Sequence, residues 1–387
     1  MNTHSSLMTI TPRPDVVMSH GNGSWLWDES GKQYLDFIQG WAVNALGHCP
    51  PEVAQALTDQ SVRLITPSPA LDNRPQLEFA SRLTALAHMS EVHFVNSGAE
   101  ANEAAVKLAR KWGRLHKGGA YKVISTKNAF HGRTLAMMAA SGKPGWHELF
   151  PPYPDGFEQV EFGCLAAMES AIDETTVAIM VEPVQGEAGV VVPYSGYLKD
   201  LRALADRHGL LLIFDEIQTG YGRLGRMFAK EIEDVAPDIM TLGKGIGGGV
   251  PLGAVLAADR ACCFDHGDQG GTYNGNPLMM AVGLAVTNVV SEPQFLANID
   301  AQGAYLRSGL LSMADRFSFQ QVRGKGLLNA VVLGSAQAER IRDKCLELGL
   351  IVNAARPDVL RFMPSLRVTR EEIDQCLDVL EQGLLAV

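Results

Sequence analysis

The stretch from Asp238 to Ala254, DIMTLGKGIGGGVPLGA, sets one cation, Lys244, among glycines and small apolar residues directly after the apolar run Ile239 to Leu242. Three chemistries suit a lysine so placed. It could be a solvated loop ammonium between two strands, the phosphate lysine of a nucleotide-binding loop, or an amine held partly desolvated so that it acts as a nucleophile. Two further groups stand at similar junctions. LLLIFDE, Leu210 to Glu216, carries an apolar run onto Asp215, and a buried carboxylate there needs a partner. Asn96-Ser97-Gly98-Ala99-Glu100 lies where an apolar run meets a helical one. Ser97 and Glu100 have the spacing of a capping box. The small residues Gly98 and Ala99 leave the first N–H groups of that helix bare, where the helix dipole favours a phosphate.

Sequence patterns separate these chemistries. A P-loop needs G-x-x-x-x-G-K-[ST], yet Lys244 is followed by Gly245 and no other segment supplies the pattern. Gly220-Tyr221-Gly222-Arg223-Leu224-Gly225 matches G-x-G-x-x-G, but the polar EIQT separates it from Asp215. The tight strand-to-helix turn of a dinucleotide fold is therefore not evident. What remains is a phosphate cradle, an aspartate and a lysine, each at the end of its own strand. Pyridoxal phosphate needs that set: a helix N-terminus for its phosphate, an aspartate to keep its ring nitrogen protonated, and an amine to form a Schiff base. Small apolar surroundings push the amine toward the neutral form a nucleophile requires.

The elements that position these groups follow a repeated pattern of apolar strand, polar or glycine-rich turn, and helix. Predicted strands are Val92 to Asn96, Lys122 to Thr126, Thr176 to Glu182, Leu210 to Glu216, Asp238 to Leu242 and Gly253 to Ala258, several continuously apolar as strands buried on both faces are. They alternate with helices such as Ala101 to Leu115 and Gly196 to His208. That order predicts an α/β fold with a mainly parallel, helix-covered sheet, and ligands bind such sheets at the carboxyl ends of the strands. Before it, GSWLWDESGKQYLDF reads as a hairpin turning at Asp28-Glu29-Ser30-Gly31, and helical spacing dominates from Pro51 to Met89. Beyond about Gly283 longer amphipathic helices and a few strands announce a smaller α+β domain. The expected division is a large domain over 51–279 and a small one built from 1–50 and 280–387.

Composition narrows the partners. The chain has 387 residues, 33 Lys plus Arg against 43 Asp plus Glu, and a net charge of −10. That charge, with no basic stripe, argues against nucleic acid. Apolar runs are strand-sized, so no membrane span is expected. MNTHSSLMTITPRPDVVM has no basic stretch followed by an apolar core, hence no secretory signal is expected and the cytoplasm is. Six cysteines (Cys49, Cys164, Cys262, Cys263, Cys345, Cys376) form no C-x-x-C pair or metal-ligand spacing, which fits a reducing compartment. No metal is expected, and the vicinal Cys262 and Cys263 read as packing residues.

The sequence resembles the class III, fold-type I aminotransferases, and among them the acetylornithine aminotransferases. The likeness runs from about Gly23 to Asp374 through NSGAEANEAAVKLAR, FHGRT, EPVQGEAGV, LLLIFDEIQTGYGRLG, PDIMTLGKGIGGGVPLGA, TYNGNPL and LRFMPSL. It implies pyridoxal phosphate carried covalently by Lys244, with Asp215 on the ring nitrogen and Gln218 on the phenolic oxygen. Ser97, Gly98 and Ala99 would hold the phosphate, Phe130 would stack on the ring, Glu182 would belong to the cofactor site, and Thr272 would reach the neighbouring subunit's phosphate in a homodimer. Arg133 would clamp the α-carboxylate of acylornithine. Arg361 would take the carboxylate of 2-oxoglutarate or glutamate, with Glu187 pairing with Arg361 and releasing it. The activity so implied is ping-pong transfer of the terminal amino group of N2-acetylornithine, or of another ω-amine, to 2-oxoglutarate. The segment GWAVN has no tyrosine of the kind that ornithine aminotransferases carry there. Asn274 and Leu224 replace a glycine and a threonine common in the family, and TPSPALDNRP departs from its usual loop.

Overall fold

A computed structural model of the chain describes residues 6–387. The reading of the extreme N-terminus therefore falls partly on residues 1–5, outside the described residues. Among the described residues fifteen strands form three sheets: β1 (Met18–Asn22), β2 (Trp25–Asp28), β3 (Gln33–Asp36), β4 (Glu91–Val95), β5 (Lys122–Thr126), β6 (Phe157–Val160), β7 (Thr176–Val181), β8 (Leu211–Asp215), β9 (Ile239–Leu242), β10 (Gly253–Ala257), β11 (Gln321–Lys325), β12 (Leu328–Val332), β13 (Leu350–Ile351), β14 (Asn353–Arg356) and β15 (Val359–Phe362).

The central sheet has seven strands in the order β4-β10-β9-β8-β7-β5-β6. Strands β9, β8, β7, β5 and β6 pair in parallel, whereas β10 runs antiparallel to both β4 and β9. All six strands expected in this sheet are present to within a residue or two at their ends. The seventh, β6, has the sequence FEQV, whose mixed polarity gives no apolar run to detect.

Burial on both faces explains the continuous apolarity of the central strands. Ala178 and Met180 of β7 and Leu211 and Ile213 of β8 pack with Ala104, Ala105, Leu108 and Ala109 of helix Gly98–His116. Their neighbours Ile179, Val181, Leu212 and Phe214 point the other way, against Leu198, Leu201 and Leu204 of helix Tyr197–Arg207. Each such leucine or isoleucine contributes on the order of 1.5–3 kcal/mol. Small alanines on helix Gly98–His116 let it lie close to the sheet, which fixes where its N-terminus points.

The N-terminal hairpin forms as β2 and β3, with Gly31 left-handed (φ 85°) in the turn, and Met18–Asn22 adds a further strand on its outer edge. That strand has little apolar content, which is why it reads as tail. Parallel pairing of β13 with β3 ties the hairpin to the C-terminal half of the chain, where β11-β12-β15-β14 make an antiparallel sheet. Its core continues from Leu35 and Phe37 through Val331 and Phe362 to Leu380. Among the described residues no helix is long and apolar enough to cross a membrane. Cys262 and Cys263 pack against the apolar layer under helix Gly98–His116.

Candidate active site

The groups singled out by spacing converge at one edge of the central sheet, because β4, β5, β7, β8 and β9 all end there. Asp215 is the last residue of β8 and is 3 % exposed. One oxygen, Oδ2, accepts from Asn102 Nδ2 at 2.8 Å and meets the His131 ring at Nδ1, 2.7 Å away. The other, Oδ1, accepts from the Ile217 N–H at 3.1 Å. Asn102 is itself oriented by Thr241 Oγ1, which donates to its carbonyl at 2.7 Å. Burial lowers the His131 pKa, but the hydrogen bond and charge of Asp215 outweigh it and the net shift is upward. Glu216, next in sequence, turns away and accepts the backbone N–H groups of Ala229 (2.5 Å) and Lys230 (2.9 Å). It is structural, although its pKa is pushed up to about 7 by burial.

Lys244 follows β9 with a left-handed backbone, φ 49°, a strained conformation of the kind found where function over-determines geometry. Protein surrounds the side chain while leaving part of it open to the cleft. Burial lowers its pKa, the Glu187, Asp215 and Glu182 charges oppose that, and the net direction is down. This is the partly desolvated amine expected from its glycine-rich setting. The turns bearing Gly98 and Gly243 touch backbone to backbone. A Cβ on Gly243 would lie 3.2 Å from Gly98 Cα, and one on Gly98 would lie 2.8 Å from the Ile217 side chain.

At the start of helix Gly98–His116, Ser97 is the N-cap and accepts from the Glu100 N–H at 3.2 Å. The return arm of the expected capping box lands one residue earlier: Glu100 Oε2 accepts from the Asn96 N–H at 2.7 Å. Gly98 and Ala99 remain partly open to the cleft. Glu182, just past β7, is 5 % exposed and accepts the Phe130 N–H at 3.3 Å. Its pKa is pushed up to about 8, by burial first and the Asp215 charge second.

The two arginines stand at different depths. Arg361 on β15 is fully buried and each of its three side-chain nitrogens donates one hydrogen bond. It donates to Asn353 Oδ1 (2.9 Å), Gln218 Oε1 (3.3 Å) and Glu187 Oε1 (2.7 Å). Burial alone would raise the Glu187 pKa, but the Arg361 and Lys244 charges bring it to about 2. The packing is tight: a Cβ on Gly186 would fall 1.6 Å from Gln218 Oε1. Trp41, its ring centroid 5.8 Å from the Arg361 guanidinium, is presented by a left-handed turn with φ of 49°, 60°, 67° and 66° through Gln39–Ala42. Arg133, by contrast, is exposed and lies over Trp146 at 4.9 Å and Phe130 at 5.8 Å. Thr272 is exposed on the turn of residues 271–275. That turn is tied down by Asn274, which accepts from Asn96 Nδ2 at 2.8 Å and meets His93 Nε2 at 3.2 Å. The departure from glycine thus gains two partners.

Lys244, Asp215, Gln218, Glu182, Glu187, Arg361, Phe130, Arg133 and the Ser97 to Ala99 cradle are therefore gathered in one region, and Thr272 lies on a neighbouring surface turn. His131, Asn102, Thr241 and Trp146 complete it without having been singled out, and Lys143 lies alongside, beside Phe130 and Trp146. The first two sit inside FHGRT and NSGAEANEAAVKLAR, where a polar residue at a core-facing position was the available signal. A small-residue cradle, an amine of lowered basicity and a buried carboxylate opposite it suit a phosphorylated pyridine aldehyde.

The chain belongs to the class-III aminotransferases: the family model described as aminotransferase class-III matches residues 9–384. It is a pyridoxal-phosphate-dependent enzyme of fold-type I. Among its relatives, acetylornithine aminotransferase 2 of Bordetella pertussis is 52% identical over 386 residues, 99% of this chain and 98% of that protein. Acetylornithine aminotransferase of Ralstonia nicotianae is 50% identical over 388 residues, covering 98% and 97%. Among solved structures, ornithine aminotransferase of Toxoplasma gondii superposes with a TM-score of 0.95 at 34% identity, covering 99% of this chain and 94% of that one. N-acetylornithine aminotransferase of Stenotrophomonas maltophilia gives 0.85 at 36%, covering 97% and 96%.

Proposed function

We propose that the chain moves the terminal amino group of N2-acetylornithine to 2-oxoglutarate, yielding N-acetylglutamate semialdehyde and glutamate in a ping-pong cycle. The observation that carries this is the pair of unequal arginines. Arg133 is open at the cleft, ready for the α-carboxylate of one substrate. Arg361 is masked by Glu187 until a second carboxylate competes for it. An enzyme that alternates between a monocarboxylate donor and a dicarboxylate acceptor needs both states.

When bound, pyridoxal phosphate supplies an aldehyde to receive the amino group and a ring that takes up the electron pair left behind by a departing proton. Lys244, its charge disfavoured by burial, would hold the cofactor, and its freed Nζ would remove a proton from the donor carbon and return it nearby. Asp215 would hold the ring nitrogen, Gln218 the phenolic oxygen, Phe130 the ring face, and Ser97, Gly98 and Ala99 the phosphate, with Glu182 closing the buried side. Thr272, exposed on its turn, would reach the site of a second subunit in a homodimer. The same reading divides the chain into a large unit over 51–279 and a smaller one from 1–50 and 280–387, supported by the pairing of β3 with β13. Free cysteines throughout support a cytoplasmic enzyme.

The likeness to ornithine aminotransferase structures favours free ornithine as a second reading. Against it, the turn around Trp41 offers no hydroxyl to a free α-amino group. Glutamate formed from 2-oxoglutarate with a panel of ω-amines decides between them. Acetylornithine should be the best donor, and turnover no better than with ornithine or 4-aminobutyrate would refute the assignment.

A further inference from the structure

Among the described residues two cationic side chains lie within 4 Å of Glu187 and only one of them holds it, the Lys244 charge acting from further off. Arg361 Nη2 donates to Oε1 at 2.7 Å, whereas Lys143 Nζ faces the other oxygen, Oε2, at 3.9 Å. A shift of about 1 Å would bring the lysine to the ~2.8 Å of a charge-assisted hydrogen bond. Lys143 lies beyond helix Leu135–Ala140 with its side chain only 16% exposed. Its ammonium rests 4.8 Å from the Phe130 ring centroid and 5.0 Å from that of Trp146.

Burial lowers the Lys143 pKa, the Glu187 charge is the main influence raising it, and Arg356 and Arg133 add repulsion. Glu187 is therefore the anion this lysine chiefly faces. The segment also borders a cavity of about 530 Å³, shared with Met138, Pro144 and Phe157, so the lysine is not closed in on every side.

A carboxylate displaced from Arg361 by a substrate anion would be stranded in a largely buried site, which is strongly unfavourable unless another cation receives it. We propose that Lys143 is the second berth of Glu187: as the distal carboxylate of a dicarboxylate acceptor takes Arg361, Glu187 moves onto Lys143 Nζ. The charge is handed over and never left unpaired. This rests on the assignment of Arg361 as the acceptor-carboxylate site. Lys143 is then a positioning residue that acts through Glu187, selectively in the acceptor half of the cycle.

The test uses the holoenzyme and two readouts. One is calorimetric binding of glutarate, an unreactive five-carbon dicarboxylate. The other is KM for 2-oxoglutarate beside KM for the amino donor. Lys143→Met should weaken glutarate binding and raise the 2-oxoglutarate KM about tenfold, with kcat and donor KM moving by less than about twofold. Lys143→Arg should restore both. In a Glu187→Gln background Lys143→Met should have no further effect, since no carboxylate remains to relocate. An equal loss of glutarate binding in both backgrounds means that Lys143 touches the substrate itself or only shapes the cleft, and overturns the proposal. Should Lys143→Met not fold, Lys143→Gln is read in the same way. If Arg361→Lys leaves glutarate binding unchanged, the acceptor-site assignment fails instead, separately from the berth.

Discussion

His131 Nδ1 stands 2.7 Å from Asp215 Oδ2 in a place where the imidazole is 1 % exposed and the carboxylate 3 %. Among the described residues the imidazole is held nowhere else, since its Nε2 is buried without a partner. A ring so placed serves the carboxylate.

His131→Phe preserves the shape and removes that hydrogen bond. Bonds to charged groups are worth about 1.5–3 kcal/mol, roughly 10–100-fold in an equilibrium constant. Pyridoxal phosphate affinity of the apoenzyme, titrated by colour, should fall within that range, with circular dichroism unchanged. Wild-type affinity would show that Asn102 and the Ile217 N–H hold Asp215 unaided.

Lys244→Ala removes an amine from a site that disfavours its charge, while alanine inherits the same left-handed backbone. Turnover should drop by at least ~10³-fold, given the 10²–10⁴-fold reach of acid–base catalysis. The thermal midpoint of the apoenzyme should not fall. Measurable wild-type turnover would remove Lys244 from the chemistry.

How much of this is legible in the sequence depends on what each residue answers to. Lys244, Asp215 and Ser97 sit where an apolar run stops, and a run of Val, Ile and Leu leaves an unmistakable mark. The roles assigned to Gln218, Glu187 and Arg361 came from the family likeness, because nothing local says that Arg361 will meet two residues more than 140 positions earlier in the chain. Lys143 lay beyond both signals. Its importance comes from facing Glu187 across the cleft, a long-range contact that spacing does not encode. Strand β6 was missed for a similar reason: it is held by pairing with β5 along the sheet edge.

Glu182 binds its proton more readily in the folded chain, with a pKa of about 8 against 4.5 ordinarily. Between those values the native state carries more protons than the unfolded one, so this residue's contribution to stability falls as pH rises through the window. Glu182→Gln keeps an acceptor for the Phe130 N–H and abolishes the titration. Its apoenzyme should melt near the wild type at about pH 5 and several degrees above it at about pH 9, a shift of ~4 °C or less per kcal/mol at this size. Scanning calorimetry at the two pH values checks this, and a constant gap would contradict it.

Arg133→Ala should raise the donor KM at least about tenfold, the loss of one exposed two-pronged contact to a carboxylate. Cofactor colour should hardly change, because Arg133 reaches the site only over Trp146 and Phe130. Initial rates with acetylornithine and a cofactor absorption spectrum measure the two effects side by side. An unchanged donor KM would exclude the clamp.

The backbone contact between Gly98 and Gly243 also sets a boundary for anyone wishing to retailor the enzyme. A side chain grown at Gly243 would press on the Gly98 backbone, and one at Gly98 on the Ile217 side chain, so both positions bear on the turns that carry Lys244 and the start of helix Gly98–His116. Libraries aimed at bulkier amines are better spent at Trp41, which is 48% exposed and faces the Arg361 guanidinium from 5.8 Å. There diversity can be added without touching that frame.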